Sequence, residues 1–295
     1  MKVRVRDIAK RAGVSPATVS NALGGKAGVS TQVAQQIQRL AKEMGYENTK
    51  PQRNMERQYI RLVLFKRHGL VVMDTQFFME VIESIEYECQ QVGLELIISN
   101  IHVAQDQDYR ERIRAICAEE CAGILLMATE MYPEDLALFD KCLSPLVALD
   151  NLFRHELVHS VVMNNYEAGY MATHALHARG HRRIAHITSS VEFSNMRYRR
   201  KGYEAAMQEN RLPVEEACFW RVTPTLEGAY TDMKRLLAVE RRELPTAFFA
   251  GNDIIAVGCL RAMQEKGINV PEDVSLIGMD DMAICQISNP QLSTI

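Results

Sequence analysis

Nothing in the 295-residue sequence approaches the ~18 consecutive apolar residues that a membrane-spanning helix requires. The opening MKVRVRDIAKRAG alternates charged with apolar side chains and builds neither the continuous apolar segment nor the small-residue cleavage site of a secretory signal, so a cytoplasmic protein is expected. The seven cysteines (Cys89, Cys117, Cys121, Cys142, Cys218, Cys259 and Cys285) are scattered and never spaced C-x2-C. Each lies in or beside an apolar stretch and reads as a small buried hydrophobe. No G-x-S-x-G elbow, phosphate-binding glycine loop or G-x-G-x-x-G follows an apolar run, and no nucleophile, histidine and carboxylate form a set. Not an enzyme, and no cofactor, is therefore the expectation. His174, His177 and His181 recur at helical spacing, but no thiolate or carboxylate is evident to complete a metal site, and Gly180 is expected to end the helix before His181.

What the chain does have is a division of charge. Residues 1 to 60 carry eleven Lys or Arg against four Asp or Glu, a balance of +7, while the remainder carries 23 against 33, a balance of −10. A compact basic head suits a polyanion, because neutralising phosphates and releasing their counterions supplies most sequence-independent affinity for DNA.

Residues 1–47 read as three short helices. Ile8, Ala9 and Ala12 share a helical face in the first; Pro16 follows Ser15 as a first helical residue; Ser30 is an N-cap candidate for a third helix through Met44, ended by Gly45. Ala9, Gly13 and Val19 form A-x3-G-x5-V, the spacing of a helix-turn-helix: a small residue for close crossing, glycine for the turn, an aliphatic between the helices. Residues 48–59 are polar, charged and contain Pro51, and read as a hinge or linker. From Ile60 to Ile295 short apolar runs alternate with amphipathic helices, the rhythm of parallel sheets covered on both faces. The runs at 60–65, 94–99, 122–127 and 145–150 form a first set, and a second set opens with HSVVM. Two such units, lobe 1 at about 60–157 and lobe 2 at about 158–289, place a ligand cleft between the carboxyl ends of their strands.

DIAKRAGVSPATVSNAL, with VST and LAKEMGY after it, resembles the headpiece of the lactose- and galactose-repressor (LacI/GalR) family of bacterial regulators. The likeness continues through FFMEVIESIEYECQQVGLELIISN, HALHARGHRRIAHI, RRKGYEAAM, FFAGNDIIAVG and VSLIGMDDMAICQISNPQLSTI, in the family's order and over essentially the full chain. The resemblance implies a homodimeric, DNA-binding regulator, most often a repressor, with an all-α helix-turn-helix head and a two-lobed α/β body of the periplasmic-binding-protein kind. Its affinity for double-stranded operator DNA would be controlled by a small effector: a sugar, nucleobase or related metabolite. Pro16, Ala17 and Asn21 then stand where the family meets base edges, and Thr18, Ser20 and Lys26 where it meets phosphates. Arg53 and Met55 fall on the family's hinge helix, Met55 in the place of the apolar minor-groove wedge. The hinge departs from the family's pattern, because Pro51 is tolerable only in a helix's first turn. For the effector the resemblance indicates Phe77, Phe78, Asp150, Arg197, Arg199, Asn252 and Asp280, with Phe78 equally readable as core, Asp281 as a cap or turn residue and Trp220 as wall. The family's body continues past a P-x-L-[ST]-T-I segment and returns to its first lobe, so the C-terminal part of lobe 1 is expected to be missing here. Two other readings share these features: an α/β enzyme with an accessory DNA-binding head, and a solute-binding protein, which would require export.

Overall fold

The computed structural model describes residues 3–23, 29–44, 46, 59–72, 76–154, 156–239 and 244–295. The chain divides into two compact units, 1–57 and 58–295. In the first, helices α1 (Val5–Ala12), α2 (Pro16–Leu23) and α3 (Thr31–Glu43) form where the turn residues direct them. Helix α1 starts ahead of Asp7 because the Asp7 carboxylate reaches back and accepts the Arg4 amide at 2.8 Å, capping the first turn. Gly13 ends it in the left-handed region, φ 69°. The Ser15 hydroxyl accepts the Thr18 amide at 3.0 Å, so α2 is capped by the residue before its proline. Ala9 and Val19 meet Ile8, Ala22, Ile37 and Ala41 in a small closed core.

The second unit is two parallel sheets. Strands β1 (Tyr59–Lys66), β2 (Glu95–His102), β3 (Gly123–Met127), β4 (Leu146–Leu149) and β5 (His159–Val161) form lobe 1 in the order β2-β1-β3-β4-β5. Helix α4 (Gln76–Gln91) covers one face and α5 (Tyr109–Ala118) the other; in β1, Leu62 and Leu64 belong to one cluster and Val63 and Phe65 to the opposite one. Lobe 2 holds β6 (Ile184–Ser189), β7 (Phe219–Val222), β8 (Ala247–Ala250) and β9 (Ser275–Ile277) in the order β7-β6-β8-β9, with helices α6 (Asn165–Ala178), α7 (Ser194–Glu209), α8 (Leu226–Val239), α9 (Asp253–Glu265) and α10 (Ala283–Ile287). Parallel strands buried on both faces read as continuous apolar runs, which is why these strands stand out in the sequence.

Two sequence expectations need correction. HSVVM does not open the second sheet: its strand β5 pairs parallel with β4, and the Asp150 amide continues that ladder to the Val161 carbonyl at 2.8 Å. An edge strand exposed at His159 and Val161 is assigned by its partner and carries little hydropathy signal of its own. The cysteines are not all plain hydrophobes, because Cys117 and Cys142 are joined as a disulfide. The chain returns there through β3, and the Leu143 amide donates to the Cys117 carbonyl at 3.0 Å, a neighbourhood that a separation of 25 residues hides. Cys89, Cys259 and Cys285 are buried thiols, while Cys121 and Cys218 are half-buried.

Helices α6 and α7 cross with their backbones in direct contact. A Cβ on Gly169 would stand 2.1 Å from the Arg199 carbonyl oxygen, and one on Gly202 would stand 2.0 Å from the Tyr166 carbonyl oxygen. No side chain at either position is compatible with that approach, and the approach is what carries Arg199 to the cleft. Gly202→Ala is expected to lower stability by about 3 kcal/mol, the upper part of the range for overpacking, in urea unfolding of the purified chain. An Ala at the exposed turn residue Gly93, where φ is 73° and no atom lies within 4 Å, should cost only about 1 kcal/mol.

Candidate functional site

Helix α2 presents two unlike faces. Val19 and Ala22 are buried against α1 and α3, whereas Pro16, Ala17 and Ser20 are exposed, with Asn21 half-buried beside them on the same side. Among the described residues that face carries the most exposed side chains of the helix. The Thr18 hydroxyl is 2.8 Å from that of Ser15, so it also serves the cap. The described part of the head exposes Arg4, Arg6, Lys10, Arg11, Arg39 and Lys42 against Asp7 and Glu43, and the balance is strongly basic. Lys26, Arg53 and Met55, with Pro51, lie outside the described residues.

In the body the sequence-predicted effector residues converge, with one exception. Phe77, Phe78, Asp150, Arg199, Asn252 and Asp280 line a single cavity at the carboxyl ends of the strands of both sheets. This is where strand order reverses in each sheet, so that the two flanking loops diverge and leave a crevice. Phe77 and Phe78 stand edge to face with centroids 5.2 Å apart, and Phe78 is core and cavity wall at once. The exception is Arg197, which the structure does not bring in: its side chain is half exposed and faces Glu192 at 3.9 Å. Two residues from Arg199 along a helix is the wrong face. Trp220 packs against Phe248 in the lobe 2 core, and Asp281 takes a turn conformation with φ 47°.

Arg199 is 3% exposed, and a guanidinium so buried has to place its donors on acceptors. Nε donates to Asn165 Oδ1 at 2.8 Å, one terminal nitrogen to the Gly251 carbonyl, and the other to Asp280 Oδ1 at 3.1 Å. On the opposite lobe Asp150 accepts from the Thr129 hydroxyl at 2.8 Å and, across the cleft, from Asn195 Nδ2 at 2.7 Å. Asn165 Nδ2 donates to Asn195 Oδ1 at 3.1 Å, so the polar chain runs unbroken from Thr129 through Asp150, Asn195, Asn165 and Arg199 to Asp280. Burial pushes the Asp150 carboxyl above its ordinary range, against the pull of Thr129, Arg199 and Asn195. The same cause raises Asp280 to about 6, with Arg199 opposing and the nearby Asp253 and Asp150 adding to the rise. Both carboxylates sit on residues of positive φ, 61° at Asp150 and 110° at Asp280, a conformation that costs energy in a residue bearing a Cβ. Asn252 caps α9, its side-chain oxygen accepting the Ile255 amide at 2.9 Å, which leaves the amide nitrogen for the cavity.

Residues that the sequence reading missed line the cavity, as Thr129 and Asn195 do, or brace its wall from behind. Thr129, Asn195 and Asn165 are described above. Glu130, 1% exposed, accepts the amides of His68, Gly69, Val71 and Val72 at 2.9–3.0 Å and ties the loop after β1 to the end of β3. Burial works against that charge, but those amides and the neighbouring His68 more than offset it and hold the carboxyl below its usual range. Val71 in this loop lines the cavity. The strand-end rule that selects Asp150 would have selected Thr129 and Glu130 as well, since they are the first polar residues after the apolar run GILLMA. The three helically spaced histidines end in separate surroundings: His174 stacks on Tyr170, His177 lies against Arg182, and His181 bridges Thr246 and Ser275. Among the described residues no helix is long and apolar enough to cross a membrane.

Residues 4–48 match the family model of bacterial regulatory proteins of the lacI family, and residues 173–295 match that of the periplasmic binding protein-like domain. An HTH-type transcriptional repressor PurR of Edwardsiella ictaluri is 32% identical over 298 residues, spanning 99% of this chain and 84% of the relative. The lac repressor dimer bound to operator and the anti-inducer ONPF superposes with a TM-score of 0.71 at 20% identity, covering 100% of this chain and 87% of that one. The transcriptional regulator CelR in complex with cellobiose superposes at 0.70 and 22% identity, with 99% and 87% covered. The basic three-helix head, the two-lobed body with its polar cleft, and the full-length likeness to a repressor agree: the chain belongs to the lacI family of bacterial regulatory proteins.

Proposed function

We propose that this protein is a transcriptional repressor whose affinity for operator DNA is set by a small, hydroxyl-dense and sugar-like molecule held between the lobes of its body. The observation that carries the ligand class is the placement of two buried carboxylates, Asp150 and Asp280, around one buried guanidinium, Arg199, at converging strand ends. Carboxylates accept from hydroxyls, the guanidinium and the Asn252 amide donate to them, and the Phe77 and Phe78 rings cover the apolar face of a pyranose. Cellobiose in the CelR complex is a ligand of this chemistry.

The cavity measures about 30 Å³ as the lobes stand, room for about one water, and the Asp150–Asn195 bond closes it. A sugar-sized ligand therefore enters only as the lobes part and exchanges that bond for bonds of its own. Occupancy then sets lobe spacing, and the difference in ligand affinity between the two spacings is the free energy available to change DNA binding. In the head, Pro16, Ala17 and Asn21 face base edges, with Thr18, Ser20 and Lys26 on phosphates; Arg53 and Met55 serve the hinge, Met55 as minor-groove wedge. Two copies of the chain read a pseudo-palindromic site in the cytoplasm, and the ligand leaves chemically unaltered.

Selection of the purified chain on a random-sequence DNA library should enrich an inverted repeat. Asn21→Ala should weaken binding to that repeat by about 1–3 kcal/mol and relax the choice of base at one position per half-site; failure to enrich any sequence at low salt would remove the repressor reading. For the cleft, a thermal-shift screen of neutral sugars identifies the ligand, whose affinity is then followed against pH. Hydroxyl donors require the ionised Asp280, whose carboxyl sits raised at about 6. Affinity should be flat above about pH 7 and fall as pH drops through 6, approaching tenfold per unit. Asp280→Asn should weaken binding and flatten the part of the slope near pH 6, whereas a wild-type affinity constant from about pH 7.5 to 5 would exclude Asp280 from the contact.

A further inference from the structure

The amino ends of the lobe 1 strands, opposite the effector cleft, gather groups that the proposed ligand does not use. Helix α5 ends there at Ala118, β1 opens at Tyr59, β3 at Gly123 and β4 at Leu146. The Cys117–Cys142 disulfide joins the last turn of α5 to the turn before β4. Cys117 is 3% exposed and belongs to the apolar cluster of lobe 1, whereas Cys142 is half-buried and followed by the exposed Leu143.

The two segments that the disulfide joins are laced together by backbone. The Leu143 amide donates to the Cys117 carbonyl at 3.0 Å, the Cys121 amide to the Ser144 hydroxyl at 2.9 Å and the Ile124 amide to the Pro145 carbonyl at 2.8 Å. The segment after α5 also holds the start of β1. The Ala122 amide donates to the Tyr59 carbonyl at 3.0 Å, and Glu119 accepts from the Arg61 guanidinium at 2.6 Å, which donates to the Tyr59 hydroxyl at 3.2 Å as well. Tyr59 is the first residue of the first body strand and follows the linker directly in the chain.

A disulfide at this place needs a chemical reason. A body of this size has core enough to stand without staples. In a reducing cytoplasm, where the function proposed above puts the protein, thiols are held reduced, and a pair that joins does so transiently, as a sensor. A sulfur–sulfur bond also holds its atoms closer than two thiols can pack, so opening it separates the end of α5 from the turn before β4 inside a densely packed core. That displacement falls on residues 118–122, whose partners include Tyr59 and Arg61.

We propose that Cys117 and Cys142 are a redox switch at the base of lobe 1: a hydroperoxide closes the disulfide, a dithiol opens it, and the closed form anchors β1 firmly where the linker enters, which raises affinity for DNA. In closure the more accessible Cys142 thiol takes one peroxide oxygen to become a sulfenic acid, and the peroxide departs as an alcohol, or as water from hydrogen peroxide. The Cys117 sulfur then attacks that sulfur, the sulfur–oxygen bond breaks, and the hydroxyl leaves with the Cys117 proton as water. Opening passes through a mixed disulfide: the two thiols of the reductant become its disulfide, and both cysteines regain a proton. A firm anchor fixes the origin of each linker, so less freedom is lost when two heads settle on DNA. The effect on DNA rests on the repressor reading; the switch and the anchor do not.

The test treats the full chain with hydrogen peroxide or with dithiothreitol, alkylates the remaining thiols and weighs the tryptic peptides. Cleavage after Lys141 puts Cys142 on the peptide 142–154 and Cys117 with Cys121 on the peptide 115–141, so in Cys121→Ser a link between the two peptides joins Cys117 to Cys142. That link should form in peroxide, vanish in dithiothreitol and survive Cys121→Ser; its absence, or its loss in this variant, overturns the switch. Hydrogen exchange at the Ala122 amide should be about tenfold faster in the reduced chain than in the oxidised one, and equal rates overturn the anchor. On the inverted repeat selected from the DNA library the oxidised chain should bind about fivefold tighter than the reduced chain. Cys142→Ser should bind as the reduced chain does, with or without peroxide. Oxidised chain that binds no tighter than reduced, or a peroxide response retained in Cys142→Ser, overturns the proposal. DNA binding by neither form, with the exchange difference at Ala122 intact, removes the repressor reading and keeps the switch.

Discussion

A buried guanidinium is stable only where the fold delivers acceptors to it, and the cleft of this protein is built around that demand. Arg199 takes one acceptor from α6 through Asn165, one from the turn after β8 through Gly251 and one from the turn after β9 through Asp280. The acceptor on α6 is brought within reach by the backbone-close crossing of α6 and α7 at Gly169 and Gly202. Two glycines without binding chemistry of their own therefore set how closely the helix that carries Arg199 lies against α6.

From that centre the polar chain extends across both lobes to Thr129, with Asn195 as the link between them. A fully paired buried network rigidifies the groups it joins and specifies one arrangement of them. The positive φ values at Asp150 and Asp280 belong to the same design: sharp turns at strand ends point carboxylates into the crevice at a conformational cost that the surrounding structure holds in place. Glu130 does comparable work from behind, fixing the loop that carries Val71 to the cavity by four backbone amides.

The head separates scaffold from reader within a single short helix. Val19 and Ala22 are committed to the core and Ser15 with Thr18 to the cap, which leaves Pro16, Ala17, Ser20 and Asn21 on the free side. Only Asn21 among these has a side chain able to make the paired hydrogen bonds that distinguish one base from another, so under the proposed function much of the selectivity would fall to half-site spacing and DNA shape.

Local signals were legible in the sequence. The caps at Ser15 and Gly13, the A-x3-G-x5-V spacing and the apolar runs of the buried parallel strands all act over a few residues and show in the order of side chains. So did the carboxylates at strand ends, because the crevice of an open α/β sheet is placed by topology. Other features follow from partners far away along the chain, and no local pattern announces them. The membership of β5 in the first sheet, the pairing of Cys117 with Cys142, the outward turn of Arg197 and the roles of Asn165 and Asn195 are of this kind. An edge strand, a cysteine or an asparagine is compatible with several surroundings; which one it occupies depends on what the folded chain brings against it. The sequence by itself determined the element types, the basic head and the two-lobed plan, since these rest on periodicity, charge and turn chemistry. The tertiary structure alone decided which polar side chains share the cleft, since that depends on helix crossings and strand order.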